Sequence, residues 1–121
     1  MVNYLPAYQQ LLRRGITVFE ELLRLYAPDK KVENDWAAIT IMQTQNQRNS
    51  LAERLIDPPT RLTAEETSSV TVSIGHYLDS HWADYQETPT ANPQKHVQVV
   101  QLHTELENIL AEIAPIHNAL R

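Results

Sequence analysis

The sequence contains no cysteine, which removes disulfides, thiolate metal sites and thiol nucleophiles together. Its two glycines are too few for a phosphate-cradling loop, and no nucleophile elbow of the Gly-x-Ser-x-Gly type occurs. The longest strictly apolar run is only a few residues, whereas a bilayer-spanning helix needs roughly 20. No membrane partner is expected. The opening MVNYLPAYQQ has no basic segment followed by an apolar one, so a secretory signal is not expected and a cytoplasmic location is. Cations are scarce as well: ten Lys and Arg against fifteen Asp and Glu give a formal charge of -5. Affinity for a phosphate backbone comes mainly from clustered cations, and here only Arg13-Arg14 and Lys30-Lys31 stand together. Nucleic acid is therefore not an expected partner.

What is present is an ordinary globular composition, 42% hydrophobic, in 121 residues, which suits one domain over residues 1–121 with one modest core. Proline marks the breaks in the pattern, at Pro28, at Pro58-Pro59 and at Pro89 with Pro93, and divides the chain into four segments. In the first, Leu5, Tyr8, Leu12, Gly15, Phe19, Leu22 and Tyr26 recur three and four apart, the spacing of one inward helical stripe. Gly15 is the one gap in it, a place for a neighbouring helix to approach closely. The second helix is predicted over Trp36 to Ile56, capped by Asn34 or Asp35 and stopped by Asp57-Pro58-Pro59.

Thr63-Ala64-Glu65-Glu66 has the form of a capping box that opens a third helix. The following SSVTVSIGHY is rich in β-branched residues, so a short strand is the rival reading. Helix is favoured because Val70, Ile74, Tyr77, Leu78, His81, Trp82 and Tyr85 form a broad face at helical spacing, and a lone strand would lack a partner. Asn92 and Pro93 then suit a helix start. Beyond them Val99, Leu102, Leu106, Ile109, Ile113, Ile116 and Leu120 alternate three and four apart. Pro115 should kink or loosen the last turn, which would suit a mobile terminal helix acting as a lid. The expected fold is an all-α antiparallel bundle of four helices, or a three-helix core with a loosely docked C-terminal helix.

Chemistry-bearing constellations are sparse. His96, His103 and His117 lie seven or fourteen apart; seven residues rise about 10 Å along a helix, whereas ligands of one ion sit within about 2 Å of it. They cannot share a metal, and His76 and His81 diverge. A metal-binding helical bundle is kept only as a second alternative, with no metal or other cofactor expected. The acid pairs Glu20-Glu21 and Glu65-Glu66 fall at helix starts or on solvent faces, so no catalytic residues are assigned and an enzyme is not expected. Aromatic residues are more informative. Tyr77, Trp82 and Tyr85, together with Ile74, Leu78 and His81, make a face wider than one core stripe requires, and Trp and Tyr are favoured interface anchors. These six are the predicted partner-binding residues, with complete burial in the core as the competing reading.

The stretch QTQNQRNS, Gln43 to Ser50, places eight polar residues across about two turns of the second helix. In step with Ile41 and Leu55, its inward positions are predicted at Gln45 and Arg48, followed by Ala52. Gln45 and Arg48 are thus the candidate polar layer, one that would fix helix register or a partner's orientation.

LPAYQQLLRRGITVFEELLRLY, then DWAAITIMQTQNQRNSLAERL, then a helix with paired apolar faces, resembles the FliT group of flagellar export chaperones over about the first two thirds of the chain. Trp36 at the start of the second helix and Arg48 with Leu51 midway along it match that family's Trp and Arg-x-x-Leu elements. The Pro89 to Pro93 loop and the Gln- and His-bearing fourth helix depart from the pattern. The resemblance implies a small helical type III export chaperone in the cytoplasm, whose client is the C-terminal helical part of the flagellar cap protein. It also implies a last helix able to cover the partner-binding face. Without it, the expectation is a non-enzymatic protein that holds an amphipathic partner helix against its third and fourth helices. The alternative is a homo-oligomer, a homodimer in the simplest case, paired through the fourth-helix stripe as a coiled coil.

Overall fold

A computed structural model describes residues 3–26, 35–87 and 93–121, with side chains placed at 3–25, 39–80 and 97–121. Four helices account for nearly all of these: α1 (Leu5–Tyr26), α2 (Asp35–Ile56), α3 (Ala64–Glu87) and α4 (Pro93–Leu120). The side chains of Trp36, His81, Trp82, Tyr85 and His96, and the expected caps Asn34 and Asn92, lie outside the described residues. No strand occurs among the described residues, so SSVTVSIGHY is helical.

Local chemistry explains the boundaries. Asn3 Oδ1 accepts from the Leu5 amide at 3.1 Å, which caps α1. Thr63 Oγ1 accepts from the Glu66 amide at 3.3 Å at the start of α3. Only half of the predicted capping box forms, because the Glu66 carboxylate is held elsewhere: it accepts from Tyr8 Oη at 2.9 Å and from Arg54 Nη1 at 2.6 Å. The β-branched run inside α3 is tolerated because its hydroxyls bond back to the helix, Thr67 to the Ala64 carbonyl and Thr71 to the Thr67 carbonyl. Val70 and Ile74, each 1% exposed, supply the burial that outweighs propensity.

The helices form a closed square. α1 packs on α2 and α4, and α3 packs on α2 and α4; across the diagonal, α1 reaches α3 only through long side chains, Tyr8 to Glu66 and Phe19 to Tyr77, among the described residues. Directions alternate: advancing along α2 from Thr44 through Gln47 to Arg54 meets Tyr77, Ser73 and Glu66, in descending order along α3. Likewise His117, near the end of α4, meets Thr67, near the start of α3. This is an antiparallel four-helix bundle.

The core is filled from all four helices, with Tyr8, Phe19 and Leu22 from α1, Leu51 from α2, Val70 and Ile74 from α3, and Leu106, Ile109 and Ile113 from α4. The stripe on α1 is wider than predicted, since Leu11 and Val18 are buried beside it where α1 faces two neighbours at once. At Gly15 the close approach is real: a Cβ there would lie 2.8 Å from Leu51 Cδ1. α4 is a full wall of the bundle, with Val99, Leu106 and Ile113 at 0% exposure; a fully buried Leu or Ile contributes about 1.5–3 kcal/mol. The helix continues through Pro115 to Leu120 rather than ending there. Pro115 and Ala111, the residue whose carbonyl loses its donor, are both on the exposed side of the helix, where a free carbonyl costs least.

Candidate functional site

A ladder of polar contacts runs down the α2–α3 seam. Thr44, 0% exposed, donates its hydroxyl proton to the Thr40 carbonyl at 2.7 Å, and its oxygen lies 2.8 Å from Tyr77 Oη. One hydroxyl has one proton, so Tyr77 is the donor across the seam. Below it, Ser73 Oγ donates to Gln47 Oε1 at 3.0 Å. At the end of the bundle Arg54 joins Glu66 and also donates to Ser69 Oγ at 3.1 Å, while Tyr8 reaches Glu66 from α1. Burial, the Glu66 hydrogen bond and its negative charge all push the Tyr8 phenol above its ordinary range.

The inward polar positions of α2 lie one residue out of step with the predicted Gln45 and Arg48. Gln45 is exposed, and Arg48 is half-buried and turned to its chain neighbour Asn49. The inward positions are Thr40, Thr44, Gln47 and Leu51. Gly15 admits Leu51, and that contact sets the rotation of α2. Thr44 is tolerated inside because its hydroxyl is satisfied by its own helix and by Tyr77, which neither a Gln amide nor a guanidinium could match at full burial. Threonines spaced four apart, as at Thr40 and Thr44, are the sequence signal for such a position.

The predicted partner face also divides. Ile74, Tyr77 and Leu78 are 1%, 3% and 8% exposed and face the bundle's own interior. Tyr77 meets Phe19 edge-on, with ring centroids 5.2 Å apart at 87°. These three side chains are taken up by the core, because α3 must cover both α2 and α4. Val99, Leu106, Ile109, Ile113 and Ile116 of the fourth-helix stripe are buried in the same way within a single chain, with Leu102 and Leu120 partly buried against the core, so most of the stripe is already occupied.

Two histidines of α4 face α3. His103 is 4% exposed, with its ring centroid 6.4 Å from that of Tyr77, and burial pushes its pKa down to about 4. His117 Nδ1 lies 2.9 Å from Thr67 Oγ1. Because the Thr67 hydroxyl proton serves the Ala64 carbonyl at 3.0 Å, His117 is the donor and its Nε2 points away from Thr67. Among the described residues no three His, Asp or Glu side chains converge as a metal would require. None of the described helices is long and apolar enough to cross a membrane.

Outside the core, a shallow open groove lies between α3 and the end of α4, lined by Ala64, Glu65, Ser68, Ser69, Val72, Ser73 and His117. Val72 is 67% exposed there. On the opposite pair of helices, Arg14 of α1 clasps α4 through Glu105 and Glu112, each at 2.5 Å. Those hydrogen bonds raise the Arg14 pKa further. Comparison with known proteins adds no relative: no protein-family model matches the chain, and neither a curated protein nor a solved structure gives a significant match.

Proposed function

We propose that this chain is a non-enzymatic helix-binding protein that holds an amphipathic segment of a client in the groove between α3 and α4. Val72 carries the reading. It is a large apolar side chain left 67% exposed on α3, among small residues that let a second helix approach closely. Ala64, Ser68, Ser69 and Ser73 line it beside the carboxylate of Glu65, and the outward edge of His117 forms one side.

The resemblance to the flagellar export chaperones supplies the client's identity in this reading: the C-terminal helical part of the flagellar cap protein, held in the cytoplasm before export. The test is calorimetric titration of the chain with that segment, produced as a peptide from the same organism. Binding by the native chain, weakened at least tenfold by Val72→Lys with an unchanged melting temperature, is the expected result. Absence of binding removes the flagellar client, and equal binding by the variant removes the groove.

A further inference from the structure

The outward side of α2 carries a second periodic pattern that the core does not use. Ile39, Met42, Asn46, Asn49, Glu53 and Ile56 follow one another three and four residues apart, the spacing of a coiled-coil seam. All six are exposed, with Ile39 at 47%, Met42 at 54% and Ile56 at 82%. Thr44 and Leu51, on the opposite side, hold the helix to the bundle. Read in reverse, the seam nearly repeats itself. Ile39 stands where Ile56 would be, Asn46 where Asn49 would be, and Met42 where Glu53 would be.

We propose that this seam is where a second copy of the chain docks, α2 against α2 and antiparallel, about a two-fold axis between Gln47 and Arg48. A self-complementary patch is what such an axis requires. Each Ile39 meets Ile56 of the second copy, and each Met42 lies along the stem of the second copy's Glu53, whose carboxylate reaches the rim. A parallel pairing would instead set Glu53 against Glu53, two like charges at one level. The flanking positions Gln43, Gln45, Ser50 and Ala52 carry no charge, so no repulsion arises beside the seam in the antiparallel arrangement.

The centre is pre-oriented. Arg48 Nε and Nη2 both donate to Asn49 Oδ1, at 3.3 and 3.2 Å. A guanidinium only donates, so the Asn49 amide presents its oxygen to Arg48 and leaves its amino group to donate to Asn46 of the second copy. Such a polar layer fixes register at a cost in stability. The seam is about 26 Å long, and one helix pair of that length falls at the small end of specific interfaces. The dimer is accordingly reversible and concentration-dependent. It stands apart from the client reading, because none of the six seam residues lines the α3–α4 groove.

Sedimentation equilibrium of the full chain over a concentration series tests the proposal, together with mixed disulfide trapping, which the cysteine-free sequence makes clean. The expected result is a monomer–dimer equilibrium weakened at least tenfold by Ile56→Lys. Ile56 is exposed, so circular dichroism should report an unchanged fold. Ile39→Cys chains mixed with Ile56→Cys chains should cross-link to each other and not to themselves. A strict monomer, a dimer indifferent to Ile56→Lys, or self-cross-linking of Ile39→Cys each overturns it. If client binding fails while this dimer forms, only the client reading is lost.

Discussion

The hydroxyls of Thr44 and Tyr77 meet at 2.8 Å in the interior, the one from α2 and the other from α3. Tyr77 is the donor, because the Thr44 proton is committed to the Thr40 carbonyl. Thr44→Val keeps the shape and removes one acceptor from Tyr77, which should destabilise the bundle by about 0.5–1.5 kcal/mol. Tyr77→Phe should cost less in a chain that already carries Thr44→Val than in the native one. A double-mutant cycle by urea denaturation measures that coupling, and strict additivity would show the bond to be energetically idle.

His103 should make the fold acid-sensitive. Its folded pKa is depressed to about 4 by burial, while an unfolded His titrates near 6.5. The unfolded chain therefore binds more protons in this window. Stability is full above about pH 6.5, falls as pH drops, and levels off below about pH 4, with a total loss of about 3 kcal/mol from this group. Denaturation midpoints measured from pH 7 to 4 should show the slope, and His103→Leu should flatten it.

The two glycines should respond to alanine with opposite signs. A Cβ at Gly75 meets nothing within 4 Å, so Gly75→Ala should stabilise the protein by about 0.4–1 kcal/mol through helix propensity and a restricted unfolded chain. A Cβ at Gly15 lies 2.8 Å from Leu51 Cδ1, and Leu51 is itself 2% exposed with little room to turn. Gly15→Ala should destabilise by about 1 kcal/mol, as overpacked sites do. Thermal melts of the two variants decide it, and equal signs would refute the packing argument.

Glu66 joins three helices, accepting from Tyr8 of α1 and Arg54 of α2 while its amide is capped by Thr63. Its carboxylate and Arg54 are only 21% and 23% exposed. Glu66→Ala should cost about 2–3 kcal/mol because it leaves a half-buried guanidinium and a buried phenol without that acceptor. The exposed pair Arg24 and Glu21 is the control, and its removal should change stability by no more than about 0.5 kcal/mol. Urea midpoints of the two variants separate these cases.

Helix number, approximate limits and the close approach at Gly15 are legible in the sequence because each rests on local spacing and on proline or threonine at a boundary. Rotation of α2 is not legible. Its apolar residues occur on both sides, so periodicity alone does not show whether Ile41 with Gln45 or Thr40 with Thr44 faces inward; the seating of Leu51 decides that, and it depends on Gly15 of a different helix. The role of Glu66 is hidden for a related reason. The sequence shows its neighbour Thr63, but not the Tyr8 and Arg54 side chains that tertiary packing brings to it. On α3, one face is recognisable as apolar, yet burial of Ile74, Tyr77 and Leu78 follows only from α3 having two packing neighbours.

The closed square of helices has a topological consequence. α1 and α4 lie side by side and antiparallel, and Tyr8 and His117 both sit beside the first turn of α3, through Glu66 and Thr67. The outer ends of the first and last helices therefore lie at the same end of the bundle. A ring of this kind has no obligatory first helix. Joining those ends with a flexible linker and opening the chain instead between α2 and α3, near Thr60, should give a circular permutant with the same core. The order of the helices along the chain is then one of several ways to cut a single circuit.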